Sequence, residues 1–235
     1  MVSASASAKT ILFGEHAVVY GEPAIAVPLS GIRTTAEVQP NGKAFRVISG
    51  KTDLDSLYSK LAPDSAMKRL LDQVRQELGI SELPPVTLTI RSDIPIASGL
   101  GSGAALSAAI IRALFRYHGR EEDPETVNRL AFEVEKIYHG NPSGVDNTTI
   151  VYEQPVFFIK GQGFAPLQAD LSGLHLLVID TGIRSTTADV VNDVREHYAE
   201  NRDAIEAIGA LVREARGALE AGDPAEIGRL MNENL

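Results

Sequence analysis

The sequence predicts a mixed fold in which strands with inserted helices form the first half of the chain and helices form the end. Val86 to Arg91 alternates apolar and polar residues, which is typical of a half-buried strand. Asp64 to Leu78 places its apolar residues at helical spacing. A second helix, which follows a glycine-rich turn around Gly101, is apolar nearly all round and is therefore expected to be buried.

The other strands are predicted where short apolar or β-branched runs are bounded by turn residues. They are Lys9 to Phe13, which Gly14 ends, then Ile32 to Val38, Phe45 to Ile48, Val156 to Ile159 and Leu174 to Ile179. The run Phe45 to Ile48 is expected to pair with the run Ile32 to Val38. The last run is nearly all apolar, which predicts a central strand.

The other helices are predicted from spacing and from residues that begin or end a helix. Asp123 and Pro124 fit the N-cap and the first helical position. The predicted helices are Asp64 to Leu78, a helix from the glycine-rich turn to Tyr117, Asp123 to about Tyr138, and a helical region from Thr187 with breaks near Asn201 and at Gly222 to Pro224. A loop from His139 to Asp146 follows the third helix, and a domain boundary is placed near residue 170.

Composition limits the classes of function. A chain of 235 residues with 44% hydrophobic and 23% charged residues is long and apolar enough for one large domain or two modest ones. Its net charge of −9 disfavours a nucleic acid or an anionic membrane as partner. There is no cysteine, which excludes disulfides and thiol chemistry.

No targeting or membrane segment is expected. Met1 to Ala8 is small and polar and lacks the cationic start and apolar core of a signal peptide. Ala104 to Leu114 is too short to span a bilayer. A cytoplasmic location is therefore expected.

The glycine-rich turn is a candidate anion site. Gly99, Gly101 and Gly103 alternate with other residues, so the backbone can adopt unusual conformations and a ligand can approach closely. The helix that follows points unpaired N–H groups and its positive dipole end at that position, which suits phosphate. The segment matches neither the Walker A sequence nor GxGxxG. Taken alone, it is equally consistent with a plain strand-to-helix connection.

Three further groups have both a chemical and an ordinary interpretation. Asp146 ends a turn-rich loop and could be a reactive carboxylate or a local cap. Glu135 lies at the edge of a helical apolar stripe, so it could enter a cleft or face solvent. Lys9 opens an apolar strand that leads to Glu15 and His16, which could equally be surface residues.

Taken together, these segments resemble the GHMP small-molecule kinases, and within them the mevalonate kinases. The resembling segments are Lys9 to Gly21, Pro95 to Ala105 and Asn141 to Asn147. The third is the most specific to the branch that phosphorylates mevalonate, and the resemblance covers nearly the whole chain. It implies an α+β fold of two domains: residues 1–170 with the phosphate loop and catalytic aspartate, and residues 171–235 as a ferredoxin-like domain that is incomplete.

The resemblance also implies roles for individual residues. Asp146 would be the catalytic carboxylate, and Lys9 would hold it ionised and stabilise charge on the reacting oxygens. Glu135 would hold Mg²⁺, and Ser102, a water or Glu135 alone would have to complete the metal shell. The implied ATP-binding residues are Pro95, Ser98, Gly99, Leu100, Gly101, Ser102, Gly103, Ala104 and Ala105. The implied substrate-binding residues are Glu15, His16, Ser143, Arg184 and Thr186.

The implied reaction is ATP-dependent phosphorylation of (R)-mevalonate, with ATP and Mg²⁺ as cofactors. No nucleic-acid or membrane partner is expected. A homodimer is an open alternative to a monomer. Two alternative functions stay open: a GHMP kinase for phosphomevalonate, homoserine or a sugar, and a nucleotide-binding module without turnover.

The sequence departs from the family pattern at three places, which bear on these alternatives. Ser7 and Ala8 replace Pro-Gly, which is expected to alter a turn. Gly103 replaces a magnesium-binding serine. A third glycine-rich segment is missing, which predicts either a truncated chain or a second domain that is built differently.

Overall fold

The structure is a computed structural model that describes residues 1–169, 171, 175–179, 182 and 194–234. Within these residues the chain forms an α+β fold around one seven-stranded sheet. The strands are β1 (Val2–Phe13), β2 (Pro23–Pro40), β3 (Arg46–Ser49), β4 (Leu54–Leu57), β5 (Val86–Ser92), β6 (Val156–Ile159) and β7 (Gly163–Pro166). The helices are α1 (Ala66–Glu77), α2 (Ser102–Tyr117), α3 (Pro124–His139), α4 (Val145–Tyr152), α5 (Tyr198–Ala221) and α6 (Pro224–Glu233), with short 3₁₀ helices at Ala17–Tyr20 and Tyr58–Lys60.

The long strand β2 joins the two ends of the sheet. It pairs antiparallel with β1 from Val2 opposite Val38 to Phe13 opposite Ile25. Its first residues also pair with β6, and its last residues pair with β5. Strand β7 extends the sheet beyond β6, while β3 and β4 extend it beyond β5. Strand β2 therefore connects β1 and both ends of the sheet.

Helices α1 to α4 pack on one face of this sheet. In β5, Val86, Leu88 and Ile90 are buried, whereas Thr87 and Thr89 are only half-buried, so the predicted alternation is confirmed. Helix α2 lies against β1 and β2 and is buried over most of its length, as its composition predicts. These elements share one large hydrophobic core, because each buries an apolar face against the others.

Helices α5 and α6 belong to a second core at the β6 end of the sheet. This core joins residues of β1, β2 and β6 to residues of both helices: Phe13, Ile25, Phe157, Val212, Leu219, Ile227 and Leu230. The opposite face of β2 and β6 packs on Val145 at the start of α4. Both faces of this end of the sheet are therefore covered. The predicted domain boundary at residue 170 stays a prediction.

Two sequence-based expectations about the strands are wrong. Strand β3 pairs parallel with β5 and antiparallel with β4, not with β2, because β5 already occupies that edge of β2. Residues 175–179, expected in a central strand, form no strand and are exposed, with Leu177 at 85%. An apolar run becomes a strand only where a neighbouring strand can accept and donate its backbone hydrogen bonds. Leu174 itself lies outside the described residues.

The described end of the chain is helical as predicted. The break expected near Asn201 is confirmed, because a turn at residue 197 separates the helical residues 194–196 from α5. Asn201 lies in the first turn of α5, where its backbone N–H and its side-chain amide both donate to the carbonyl oxygen of His197, at 3.1 Å each. The break at Gly222 and Asp223 is confirmed, since Asp223 accepts hydrogen bonds from the first N–H groups of α6. No helix in the described part of the chain is long and apolar enough to cross a membrane.

Candidate active site

A buried lysine and a partly exposed aspartate form the centre of the candidate site. Lys9 Nζ lies 2.8 Å from Asp146 Oδ1, with side chains 5% and 32% exposed. An ammonium group this deeply buried needs a compensating charge, because transfer out of water disfavours the charged form. The sequence offered this pair only by resemblance, and the structure brings the two residues together.

Lys9 is held in position by its backbone as well as by Asp146. Its N–H donates to the carbonyl oxygen of Leu100 at 3.1 Å, which joins β1 to the glycine-rich turn. The register of β1 on β2 shifts between Ser7 and Ala8, immediately before Lys9. Such irregularities re-aim the side chains beside them. Ser7 and Ala8 therefore belong to an irregular strand and not to the turn that the sequence comparison led us to expect.

The glycine-rich turn packs directly on this pair. Gly101 has φ 73° and immediately precedes α2, and its carbonyl accepts the N–H of Ala105 at 3.0 Å. A Cβ at Gly101 would lie 2.7 Å from Ile150 Cδ1 and 3.1 Å from Lys9 Cγ, so only glycine fits. The first N–H groups of α2 lack partners within the helix, and they lie next to the turn that contacts Lys9. An anion bound there would lie close to the lysine–aspartate pair.

Asp146 is in a helix and not, as predicted, at the end of a loop. Helix α4 begins at Val145, whose N–H lies 3.3 Å from the Ser143 hydroxyl oxygen, so Asp146 occupies its first turn. Asn147 donates to the side-chain oxygen of Asn128 on α3 at 2.6 Å, which ties the two helices together. The position of the carboxylate is thereby fixed by the start of a helix, which also favours a negative charge.

Glu135 is the third charged member of the site. It is only 3% exposed, so the side chain does not face solvent, while its place in a ligand cleft stays a prediction. Burial, and after it the negative charge of Asp146, raise the pKa of the Glu135 carboxyl, which reaches about 8 against the opposing effect of Lys9. The two carboxylates and the ammonium are thus close enough to interact electrostatically.

The oxygen atoms of the site suit a hard cation, but they do not form a complete coordination shell. Glu135 offers carboxylate oxygens, and Ser102, which is half-buried at the start of α2, offers a hydroxyl. Among the described residues, no three His, Asp or Glu side chains are grouped so that they could hold a metal ion by themselves. Mg²⁺ commonly uses one or two carboxylates together with substrate phosphates, so these residues fit such a partly formed site.

The other predicted site residues lie in the turn after β1, in the glycine-rich segment and before α4, or outside the described residues. Glu15 is half-buried and His16 is exposed, in the turn that follows β1. Ser98 donates to the carbonyl oxygen of Pro95 at 2.9 Å within the glycine-rich segment. Arg184 and Thr186 lie outside the described residues.

Two lysines that the sequence analysis did not select support the site. Lys51 Nζ donates to the carbonyl oxygens of Ser92 at 3.1 Å and Ile94 at 2.5 Å, just before the glycine-rich segment. Lys160 Nζ donates to Asn141 Oδ1 at 2.9 Å, at the loop before α4. Neither lysine lies in a motif, and the contacts join segments far apart in the chain, so no local signal identified them.

Comparison with known proteins agrees with this geometry. Residues 65–154, which include the glycine-rich turn, Glu135 and Asp146, match the family model described as the GHMP kinases N terminal domain. A mevalonate kinase of Thermococcus sibiricus is 36% identical over 257 residues, covering 99% of this chain and 76% of the relative. One of Aeropyrum pernix is 34% identical over 248 residues, covering 97% and 74%. The chain therefore belongs to the GHMP kinase family.

Solved structures of mevalonate kinases share the fold. The Methanococcus jannaschii enzyme superposes with a TM-score of 0.81 at 25% identity, covering 99% of this chain and 76% of its own. The L. major enzyme, solved in complex with R-mevalonate, gives a TM-score of 0.76 at 29% identity, with coverages of 100% and 74%. The α+β fold implied by the resemblance is thus confirmed.

Gly101→Ala is expected to destabilise the protein and lower its turnover. An alanine with this backbone conformation is strained by about 1–3 kcal/mol, and its Cβ would displace Ile150 or Lys9. Gly217→Ala, at an exposed helical position with nothing within 4 Å, is the control and should be neutral or slightly stabilising. Urea unfolding and steady-state turnover measure both effects. Equal stabilities for the two variants would contradict the packing argument.

Glu135→Gln is expected to flatten the pH dependence of stability. The folded protein keeps a proton on Glu135 up to about pH 8, whereas the unfolded chain releases it near the ordinary pKa of 4.5. The stabilisation is therefore fully present below pH 4.5 and is lost as the pH rises through 8, by up to about 1.4 kcal/mol per pH unit.

The test is urea unfolding between pH 5 and about 8.5 without nucleotide or divalent cation. Glu133→Gln, a partly exposed glutamate on the same helix, serves as control and should keep the wild-type slope. A Glu135→Gln protein with the wild-type slope would show that Glu135 is not the group that holds the proton.

Proposed function

We propose that this chain transfers the γ-phosphoryl group of ATP to the primary hydroxyl of (R)-mevalonate, giving 5-phosphomevalonate and ADP for isoprenoid precursor synthesis. The observation that carries the proposal is the ion pair of Lys9 with Asp146, set against a glycine-rich turn at the start of a buried helix. The mevalonate kinases among its relatives support the choice of acceptor. The proposal includes a cytoplasmic location. It leaves the oligomeric state open, and sedimentation of the purified protein distinguishes a monomer from a homodimer.

In this mechanism the acceptor oxygen attacks the γ-phosphorus while the bond to the β–γ bridging oxygen breaks and ADP leaves. Asp146 accepts the proton of the attacking hydroxyl. Lys9 stabilises the negative charge that develops on the reacting oxygens. Phosphoryl transfer depends mainly on positioning and on neutralising charge spread over the phosphate oxygens, so these residues need not form a covalent intermediate.

The nucleotide and its cation are assigned to the other side of the site. The segment from Gly99 to Ala105 would face the triphosphate, with the unpaired backbone N–H groups of Ser102 to Ala104 as donors, as expected for a helix N-terminus that follows a glycine-rich turn. Glu135 and Ser102 would hold Mg²⁺, which neutralises phosphate charge when it is bound. Gly103 offers no side-chain oxygen, so phosphate oxygens and water would have to supply the other ligands. On the acceptor side we place Glu15, His16, Ser143, Arg184 and Thr186.

A panel of acceptor alcohols tests the proposed substrate. ADP release is measured with mevalonate, phosphomevalonate, homoserine and galactose under identical conditions. Mevalonate should give the highest kcat/KM, by about tenfold or more, since an acceptor that leaves buried polar groups unpaired is strongly rejected. A higher kcat/KM for another alcohol would reassign the acceptor. Nucleotide binding without ADP release on any of the four would identify a binding module instead.

Removal of either charge of the central pair should stop or slow catalysis while nucleotide binding persists. Asp146→Asn keeps the shape of the side chain but cannot accept the proton, so turnover should be lost. Lys9→Met should lower kcat by about 10²-fold or more, as for other groups that stabilise developing negative charge. Isothermal titration with ATP measures the affinity of each variant. Lys43→Met, at an exposed lysine between β2 and β3, is the control, and normal turnover in Asp146→Asn would refute the assignment.

A further inference from the structure

The side-chain amide of Asn234 joins the end of α6 to the turn that follows β1. Its Nδ2 lies 3.1 Å from both carboxylate oxygens of Glu15, and its Oδ1 accepts the N–H of Gly14 at 3.3 Å. Donor faces acceptor at each contact, so one amide satisfies two different groups of the turn. Neither the motifs nor the spacing of the sequence indicated this contact, which links residues 219 and 220 positions apart.

Packing of α6 determines where Asn234 lies. Ile227 and Leu230 are buried in the core that contains Phe13, the last residue of β1. Asn234 follows these residues at helical spacing, so it continues the same face of α6 toward the end of β1. Its backbone N–H donates to the carbonyl oxygen of Leu230 at 3.0 Å, which keeps it in register with the helix. The amide is therefore held by the core and not by an exposed chain end.

The turn that Asn234 contacts has unusual backbone torsion angles, which contacts with the surrounding residues must stabilise. Gly14 has φ 89°, and a Cβ there would lie 2.3 Å from the carbonyl oxygen of Pro23. His16 has φ 61°, a conformation that residues other than glycine rarely adopt. Glu15 lies between them, half-buried, and its side chain would have several rotamers if nothing held the carboxylate.

We infer that Asn234 is a positioning residue that orients the Glu15 carboxylate toward the acceptor alcohol. The inference rests on the proposed function, in which Glu15 lies on the acceptor side of the site. A neutral amide holds the carboxylate without placing a positive charge against it, so the remaining lone pairs of its oxygens can accept from the hydroxyl groups of an acceptor. A cationic side chain at this position would compete with the acceptor for the same oxygens.

Steady-state kinetics of Asn234→Ala separate positioning from general damage. The KM for the acceptor should rise about tenfold, the usual effect of losing one hydrogen bond to a charged group, while the KM for ATP should change by less than about twofold. Asn232→Ala, an exposed asparagine on the same helix, is the matched control and should leave both constants unchanged. Equal increases in the two KM values for Asn234→Ala would overturn the inference.

A double-mutant cycle with Glu15→Ala tests whether Asn234 acts through Glu15. If it does, the double variant should have the acceptor KM of Glu15→Ala alone, because the amide then has no carboxylate to orient. Additive effects of the two substitutions would contradict this route of action. The assays use whichever alcohol the wild-type enzyme phosphorylates best, so a different preferred acceptor overturns the proposed substrate but leaves this test in place.

Asn234→Asp provides a second variant in case alanine unfolds the end of α6. It keeps the size of the side chain and its acceptor toward Gly14, but it places a carboxylate against Glu15 in place of a donor. The acceptor KM should rise at least as much as in Asn234→Ala, while thermal unfolding stays near that of the wild type. An unchanged acceptor KM in Asn234→Asp would refute a role for the Nδ2 donor.

Discussion

A lysine side chain that is almost completely buried requires an opposite charge within hydrogen-bonding distance, and this requirement organises the site. Lys9 is 5% exposed, and Asp146 lies 2.8 Å from it. In a poorly hydrated environment such an attraction is much stronger than in water, but it offsets desolvation only when the geometry is kept. Strand β1 must therefore hold the lysine under the first turn of α4, and Gly101 must leave room for its methylene groups.

Strand β1 contributes both to the sheet and to the candidate active site. Strand β1 forms one edge of β2 along nearly its full length, and its irregular register falls immediately before Lys9. Its middle contacts the glycine-rich turn through Leu100, and its end leads into the turn with Glu15. Because both cores of the protein contain residues of β1, a shift of this strand would disturb the nucleotide side and the acceptor side together.

Local sequence patterns predicted the strands and helices that carry the site residues, but they did not predict the tertiary contacts between these elements. Strand β5 and helices α1 to α3 follow from residue spacing within short windows, where the contacts that decide the structure are themselves local. The helical wheel left Glu135 between cleft and solvent, because the outcome depends on how α3 packs against α4. Lys9 and Asp146 were paired only by resemblance to a family, and Asn234 was missed, since no periodicity relates residues so distant in sequence.

The charges of the site limit how it can bind a polyphosphate. The protein carries a net charge of −9, and the charge of Lys9 is already paired with Asp146. With its pKa near 8, Glu135 is mostly protonated at neutral pH, so the cluster is close to neutral before a ligand binds. Backbone N–H groups of α2 supply only partial positive charge against a triphosphate. In the proposed function, a divalent cation held by Glu135 would supply the missing positive charge and would favour the ionised form of this carboxyl.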